Sequence, residues 1–316
     1  MSTAVVAARR KHSVARVLSK DFKRNYFVYL MVIPVVAYYV IFSYWPMYGL
    51  QIAFKDFNIV AGYGASPWSD PIYKHFLKFF NGIYFWRTLR NTLLINIYGL
   101  MFSFPLSIVF ALLLNEVRSS LFKRTIQTIS YLPYFISMVV ICGIITDFCL
   151  SDGLINSVIA LFGGKRSALL QQSALFRTVY IASDIWQYLG WNSIIYFAAL
   201  AGIDPELYQA AIIDGAGRFR QMWHITLPGI KPTIVILLIL SFGSMLSVGS
   251  EKIILLYNPA TYETADVISS YVYRNGLQRL DWSYGSAVGM FNSVINVILL
   301  VIANRFSRIV GETSLW

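Results

Sequence analysis

Near the middle of the chain Asp184, Gln187, Tyr188 and Trp191 recur at helical spacing inside an apolar stretch, with Asn192 beside them. Residues three, four and seven apart share a helical face, so a carboxylate, an amide, a phenol and an indole converge on one surface. An aromatic ring covers the C–H face of a sugar while amides and carboxylates take its hydroxyls, and this face suits that chemistry. Ser244, Ser247, Asn292 and Asn296 are further polar residues in apolar surroundings. Polar groups in lipid are costly unless paired or lining a polar path, which makes all of these candidates for a solute pathway. The same residue types also serve helix packing and the interfacial belt of a membrane, and that plainer reading stands beside the first.

Other chemistries lack their residues. His12, His75 and His224 are scattered, and Cys142 and Cys149 lie in an apolar segment with no ligand cluster around them, so neither a metal site nor a catalytic triad is expected. Gly163-Gly164-Lys165-Arg166-Ser167 lacks the preceding glycine spacing of a phosphate loop. The chain itself is therefore expected to bind no cofactor and to hydrolyse no nucleotide.

The elements that carry these residues are membrane helices. Of 316 residues 57% are hydrophobic and only 13% charged, with mean hydropathy +0.59, which marks an all-α integral membrane protein. Apolar runs predict six spans near 26–50, 91–114, 127–148, 176–202, 232–248 and 284–304, with kinks at Pro34 and Pro46 and with Pro133 near the start of the third. The segments 55–87, 151–173 and 251–282 then lie outside, with a short interfacial helix near 75–80. The net charge of +11 is read by location: 1–25 is a basic cytoplasmic segment that meets anionic lipid rather than nucleic acid, and 309–316 is a cytoplasmic tail behind the permeating domain 26–308. The six spans put both termini inside, and a modest majority of the 26 Lys and Arg falls on that side. Arg87, Arg90 and Arg177 flank the outer ends as snorkelling anchors or as attractors of an acidic solute, which Asp184 would repel.

Between spans four and five lies an amphipathic island, 204–232. Asp204 caps a helix that Pro205 opens; Gly215 permits a left-handed turn, and Asp214 is placed to cap the next helix through Ala216 or Gly217. Leu207, Ala210, Ala211 and Asp214 share one face of the first helix, and Phe219, Met222, Trp223 and Thr226 repeat the spacing in the second. Pro228 biases Leu227 out of helical geometry and should stop that helix, while Pro232 opens the fifth span. Such a shaped pair fits a groove on a partner or the membrane surface.

The order QAAIIDGAGRFRQMWHITLPGIKP, residues 209–232, resembles the EAA motif of membrane subunits of bacterial ATP-binding cassette importers. The matching positions are Ala210, Ala211, Asp214, Gly215, Ala216, Phe219, Ile225, Leu227 and Pro228, and Gln209 stands where the family usually has glutamate. The resemblance implies that 204–232 is a cytoplasmic coupling-helix loop docked in a cleft of an ATPase subunit, with Phe219, Met222 and Trp223 as the contact face. It also implies a bacterial plasma (inner) membrane location, a second homologous permease in a heterodimer, two ATPase subunits that hold ATP and Mg, and an external solute-binding protein.

Residues 29–34, 46–57, 91–116, 127–137 and 191–203 resemble the subgroup serving oligosaccharides and polysaccharide fragments. The implied activity is import of such a sugar by alternating access, with an acidic fragment of alginate or pectin as the expected cargo. A self-contained secondary transporter or channel would need coupling ions or a gate within the spans, where Asp184 is the main acid; an importer permease for another small solute is the alternative within the class.

Overall fold

A computed structural model describes residues 22–309 and 314–315, which form two compact units divided between Ile52 and Ala53. Most of the basic segment 1–25 and of the tail 309–316 lies outside the described residues. Among the described residues the only strand pairing is an isolated bridge between Lys55 and Trp68.

Within the first unit α1, Tyr26–Tyr39, continues through a π segment, Val40–Tyr44, into Trp45–Met47 and the start of a 3-10 stretch, Tyr48–Phe54. The whole is 29 residues long and buries none of its side chains up to Met47, as suits a helix surrounded by lipid. It runs through both Pro34 and Pro46.

At three prolines the helix continues by the same device. The π segments Val40–Tyr44, Gly99–Ser103 and Met222–Thr226 each end two residues before a proline, at Pro46, Pro105 and Pro228. A proline offers no N–H to the carbonyl four residues back and crowds it. The residues just before these prolines, Trp45, Phe104 and Leu227, donate instead to the carbonyls five back, on Val40, Gly99 and Met222. The wider turn absorbs the missing bond and the helix continues.

In the second unit a single helical turn, Gly62–Ala65, precedes α2, Lys74–Phe80, and α3, Phe85–Tyr98, which passes through the π segment into α4, Phe104–Asn115. Next come α5, Ser120–Tyr131, started by the Ser119 hydroxyl accepting from Phe122 N–H, then α6, Met138–Cys149, α7, Leu154–Leu161, and the 29-residue α8, Ser173–Ala201. The chain continues through α9, Pro205–Ile213, α10, Arg218–Gln221, α11, Leu227–Gly243, α12, Ser250–Leu256, α13, Ile268–Val272, and α14, Trp282–Ile309. The centre is α8, packed against α4, α5 and α11; Gly190 lies so close to the Ser130 backbone that no Cβ fits there.

Several expected boundaries move. Pro228 does not stop its helix: Leu227 has φ −65° and ψ −45°, and residues Arg218–Gly243 form one 26-residue helix with Pro232 inside it. Span five therefore starts within the amphipathic island and ends at Gly243, leaving Ser244 and Ser247 in the break that follows. The third span begins at Met138 rather than 127, because Ile136 and Ser137 are extended after the Leu132–Phe135 turn that holds Pro133. Its apolar length runs through α7 to Leu161, where a polar outer loop was expected. Asn156 staples this corner, its amide donating to the Leu150 and Ser167 carbonyls and accepting from Ser167 N–H.

Among the described residues five helices are long and apolar enough to cross a membrane: Tyr26–Phe54, Phe85–Asn115, Met138–Leu161, Arg218–Gly243 and Trp282–Ile309. The helix α8 is long enough, but its polar residues keep it out of that set. The largest departure is at 251–282, expected as an outer loop. It folds into the protein interior, where Ile253, Val267 and Ile268 are fully buried and Ile253, Leu256, Ala265 and Val267 join the same apolar cluster as Ile141 and Phe176.

Candidate functional site

Two sites emerge, a protruding edge and a buried polar centre. The edge begins as its residues dictate: Asp204 Oδ1 accepts from Glu206 N–H at 2.9 Å and Pro205 occupies the first turn of α9. The helix ends in a Schellman turn, with Ala216 N–H donating to Ala211 O at 2.8 Å and Gly215 N–H to Ile212 O at 3.0 Å. Gly215 has φ +74°, the left-handed conformation that favours glycine. Asp214, expected to cap the following helix, instead closes α9 as its C-cap, and Gly217 stands at the N-cap of α10. The Tyr208 and Thr226 hydroxyls meet at 3.0 Å and Gln221 Nε2 donates to Ala216 O at 2.7 Å, which fastens α9 to the continuous helix 218–243.

This bracing leaves large apolar side chains without cover. Leu207, Ile212, Ile213, Phe219 and Trp223 are all exposed, Ile213 by 85% and Phe219 by 74%. Phe219 and Trp223, one turn apart, line a shallow recess with Arg218, Arg220 and His224. Met222 does not share that face: with Leu227 it packs inward on the cluster of Ala111, Tyr196, Leu200 and Ile230. Gln209, Ala210, Asp214, Gly215 and Pro228 are exposed, while Ala211 and Ala216 are half-buried.

The buried centre divides the residues of α8. Asp184 and Asn192 line a cavity of about 300 Å³ with Asn96, Ser241, Ser244 and Ser247, between the π segment of the second span and the break after α11. A second recess of about 280 Å³ shares Asn192, Ser241 and Ser244 and extends to Tyr196 and Ser107. Gln187 is buried and turned toward α12, and Trp191 stacks on Tyr134 at 4.0 Å with the rings 4° from parallel. Tyr188 meets Tyr134 edge-on at 5.8 Å. Asn296 makes a structural bracket, accepting from Leu246 N–H and donating to the Ser247 hydroxyl, both at 2.8 Å. Asn292 does not line either recess.

One central residue escaped the sequence reading. Lys252, 2% exposed, places its Nζ 3.5 Å from Asp184 Oδ1 and 3.4 Å from Gln187 Oε1. The signal was a lysine followed directly by four apolar residues, 253–256, a pattern of burial rather than of a loop. A second hidden hub is Asp266, fully buried, which accepts from Arg87 at 3.0 Å and from Arg274 at 2.6 Å. Arg177 donates to Asn91 at 2.7 Å, and Asn91 in turn donates to the Glu263 and Asp266 carbonyls. Two of the three expected entrance cations, Arg87 and Arg177, are thus fastened to the 251–282 segment directly or through Asn91, and Arg90 remains exposed.

Known proteins resemble this chain over most of its length. The model of the family described as binding-protein-dependent transport system inner membrane component matches residues 103–311. The chain is 42% identical over 308 residues to the polygalacturonan/rhamnogalacturonan transport system permease protein YteP of Bacillus subtilis (strain 168), spanning 97% of this chain and 95% of that one. It is also 42% identical over 295 residues to Protein LplB of the same organism, with 93% and 92% covered. A chain of a bacterial alginate ABC transporter, crystallised in complex with alginate pentasaccharide-bound periplasmic protein, matches with TM-score 0.84 and 42% identity over 94% of this chain and 99% of its own.

Proposed function

Since the chain belongs to the family of binding-protein-dependent transport system inner membrane components, multi-pass permease subunits of ABC transporters that are not themselves enzymes, we propose that it imports fragments of an acidic polysaccharide. One relative is named for polygalacturonan and rhamnogalacturonan transport and the solved transporter is involved in import of the acidic polysaccharide alginate, and their similarity to this chain extends over nearly its whole length.

In this reading six spans, α8 included, leave both termini and the 204–232 loop in the cytoplasm. The loop docks on one of two ATPase subunits, which hold ATP and Mg; a second, homologous permease completes the membrane part, and an external solute-binding protein delivers the sugar. The observation that carries the reading is the edge itself: exposed Phe219 and Trp223 stand on a helix continuous with span five. A push on this edge reaches the cavity-lining Ser241 and its neighbours without crossing a loop. Nucleotide shifts the inward- and outward-facing populations only through differential contacts made there. The sugar passes along the polar recess lined by Asp184, Asn192 and Ser247, with its hydroxyls taken by these groups.

The test is ATP turnover by the complex purified through a tag on this chain and reconstituted in lipid vesicles. The expected result is stimulation by binding protein loaded with an oligogalacturonate or alginate oligosaccharide, accompanied by uptake. Turnover that ignores the loaded protein contradicts the proposal.

A further inference from the structure

We infer that Lys252 sets the charge specificity of the pathway, with the Asp184 carboxylate acting as a built-in stand-in that a sugar carboxylate replaces. The inference rests on the acidic-sugar reading above and assigns that sugar a binding group.

A buried ammonium needs close partners, because isolating it from water is expensive. Lys252 has them only loosely. Asp184 Oδ1 at 3.5 Å and Gln187 Oε1 at 3.4 Å both lie well beyond the roughly 2.7–2.9 Å of a well-formed charge-assisted bond. The rings of Tyr180 and Tyr188 face the ammonium at 5.2 and 5.9 Å, which favours the cation without satisfying its N–H groups. Lys252 thus keeps capacity for an anionic acceptor.

The position of Asp184 says from where that acceptor arrives. Its side chain is 28% exposed against 3% for Lys252, and it lines the polar cavity while Lys252 does not. A carboxylate in the cavity therefore meets Asp184 first. Exchanging the Asp184 carboxylate for a sugar carboxylate keeps the buried ammonium paired, and the additional negative charge that the sugar brings is carried by the displaced Asp184 on the polar cavity wall. Asn192, Ser244 and Ser247, on the walls of the same cavity, are hydrogen-bonding groups for the released Asp184 side chain. A neutral sugar brings no anion to replace Asp184 and leaves the pair closed, which discriminates by charge rather than by shape.

The experiment measures direct binding of trigalacturonate and of its methyl ester to the detergent-solubilised complex, without the solute-binding protein, so that only the permease is asked to discriminate. The unaltered complex is expected to prefer the acid by about tenfold or more, the range of a hydrogen bond to a charged group. Asp184→Asn/Lys252→Gln removes both charges together and is expected to abolish the preference. Asp184→Asn alone removes the competing carboxylate and is expected to tighten acid binding relative to the ester; it decides the matter if the double variant fails to assemble. An unaltered preference in the double variant, or weaker acid binding in Asp184→Asn, overturns the inference alone. Equal binding of acid and ester by the unaltered complex overturns the acidic-sugar reading and the inference with it.

Discussion

Residues 205–223 leave Ile213 and Phe219 largely exposed, whereas residues 250–272 hide Ile253, Val267 and Ile268 completely. Both stretches are charge-bearing islands between long apolar helices. What separates them is where the charges find partners. In the first, Arg218 and Arg220 remain on the surface beside exposed aromatic rings. In the second, Lys252 meets Asp184, and Asp266 gathers Arg87 and Arg274, so the segment brings its charges inside already matched to others. A polar stretch in a membrane protein is left as an exposed edge when its charges stay in water. It becomes part of the core when they are paired across elements.

The contrast can be broken most severely at the hub. Asp266→Ala strands Arg87 and Arg274 and is expected to cost about 3–5 kcal/mol, the range for uncovering a buried charge. It is read as a large fall in thermal unfolding temperature of the detergent-solubilised chain; an unchanged temperature means the hub does not hold the segment. On the exposed edge the expected pattern reverses. Phe219→Ala/Trp223→Ala should leave the stability of the isolated chain within about 0.5 kcal/mol, yet weaken its association with the ATPase subunit by about 2 kcal/mol or more, as aromatic anchors do. A binding titration beside a melting curve separates the two effects, and loss of stability without loss of association refutes the docking role.

Gly215→Trp probes the turn between the two helices of the proposed coupling loop. A residue with a Cβ at φ +74° costs about 1–2 kcal/mol locally, and the indole adds bulk at the docking edge. Uptake should be lost while the chain still inserts and ATP turnover continues, and normal uptake by this variant contradicts the model. The smallest effect is expected at Asp56, an exposed counterpart to Asp266. Lys74 Nζ donates to its carboxylate at 3.0 Å and, ahead of the Ser69 hydroxyl and the nearby His75, holds its pKa below the usual 3.8. Because the folded value is depressed, the contribution is present above 3.8 and fades as pH falls through the lower folded value. A slight drop in unfolding temperature below about pH 4 should therefore disappear in Lys74→Met.

The same contrast explains what the amino-acid order revealed. The Asp204 cap, Pro205, the Gly215 turn and the exposed Phe219 and Trp223 depend on neighbours within a few residues, and local rules read them correctly. Pro228 misled because the Met222–Thr226 π turn before it supplies a different bond pattern that no single residue announces. The 250–282 segment was illegible for a longer-range reason. Lys252 and Asp184 are 68 positions apart and Arg87 and Asp266 are 179 apart, so each charge looked solvated until the fold supplied its mate. Asn296 looked like a pathway group for the same reason, since its partners Leu246 and Ser247 are 50 and 49 positions away.

The docking claim is tested most directly by site-specific capture. A photo-crosslinker attached at Phe219→Cys in the assembled complex should trap the ATPase subunit in high yield, while the same group at Ile83→Cys, where the native side chain is 91% exposed, should trap none. Equal capture from both positions, or capture from 83 alone, would contradict the assignment of 204–232 as the coupling edge.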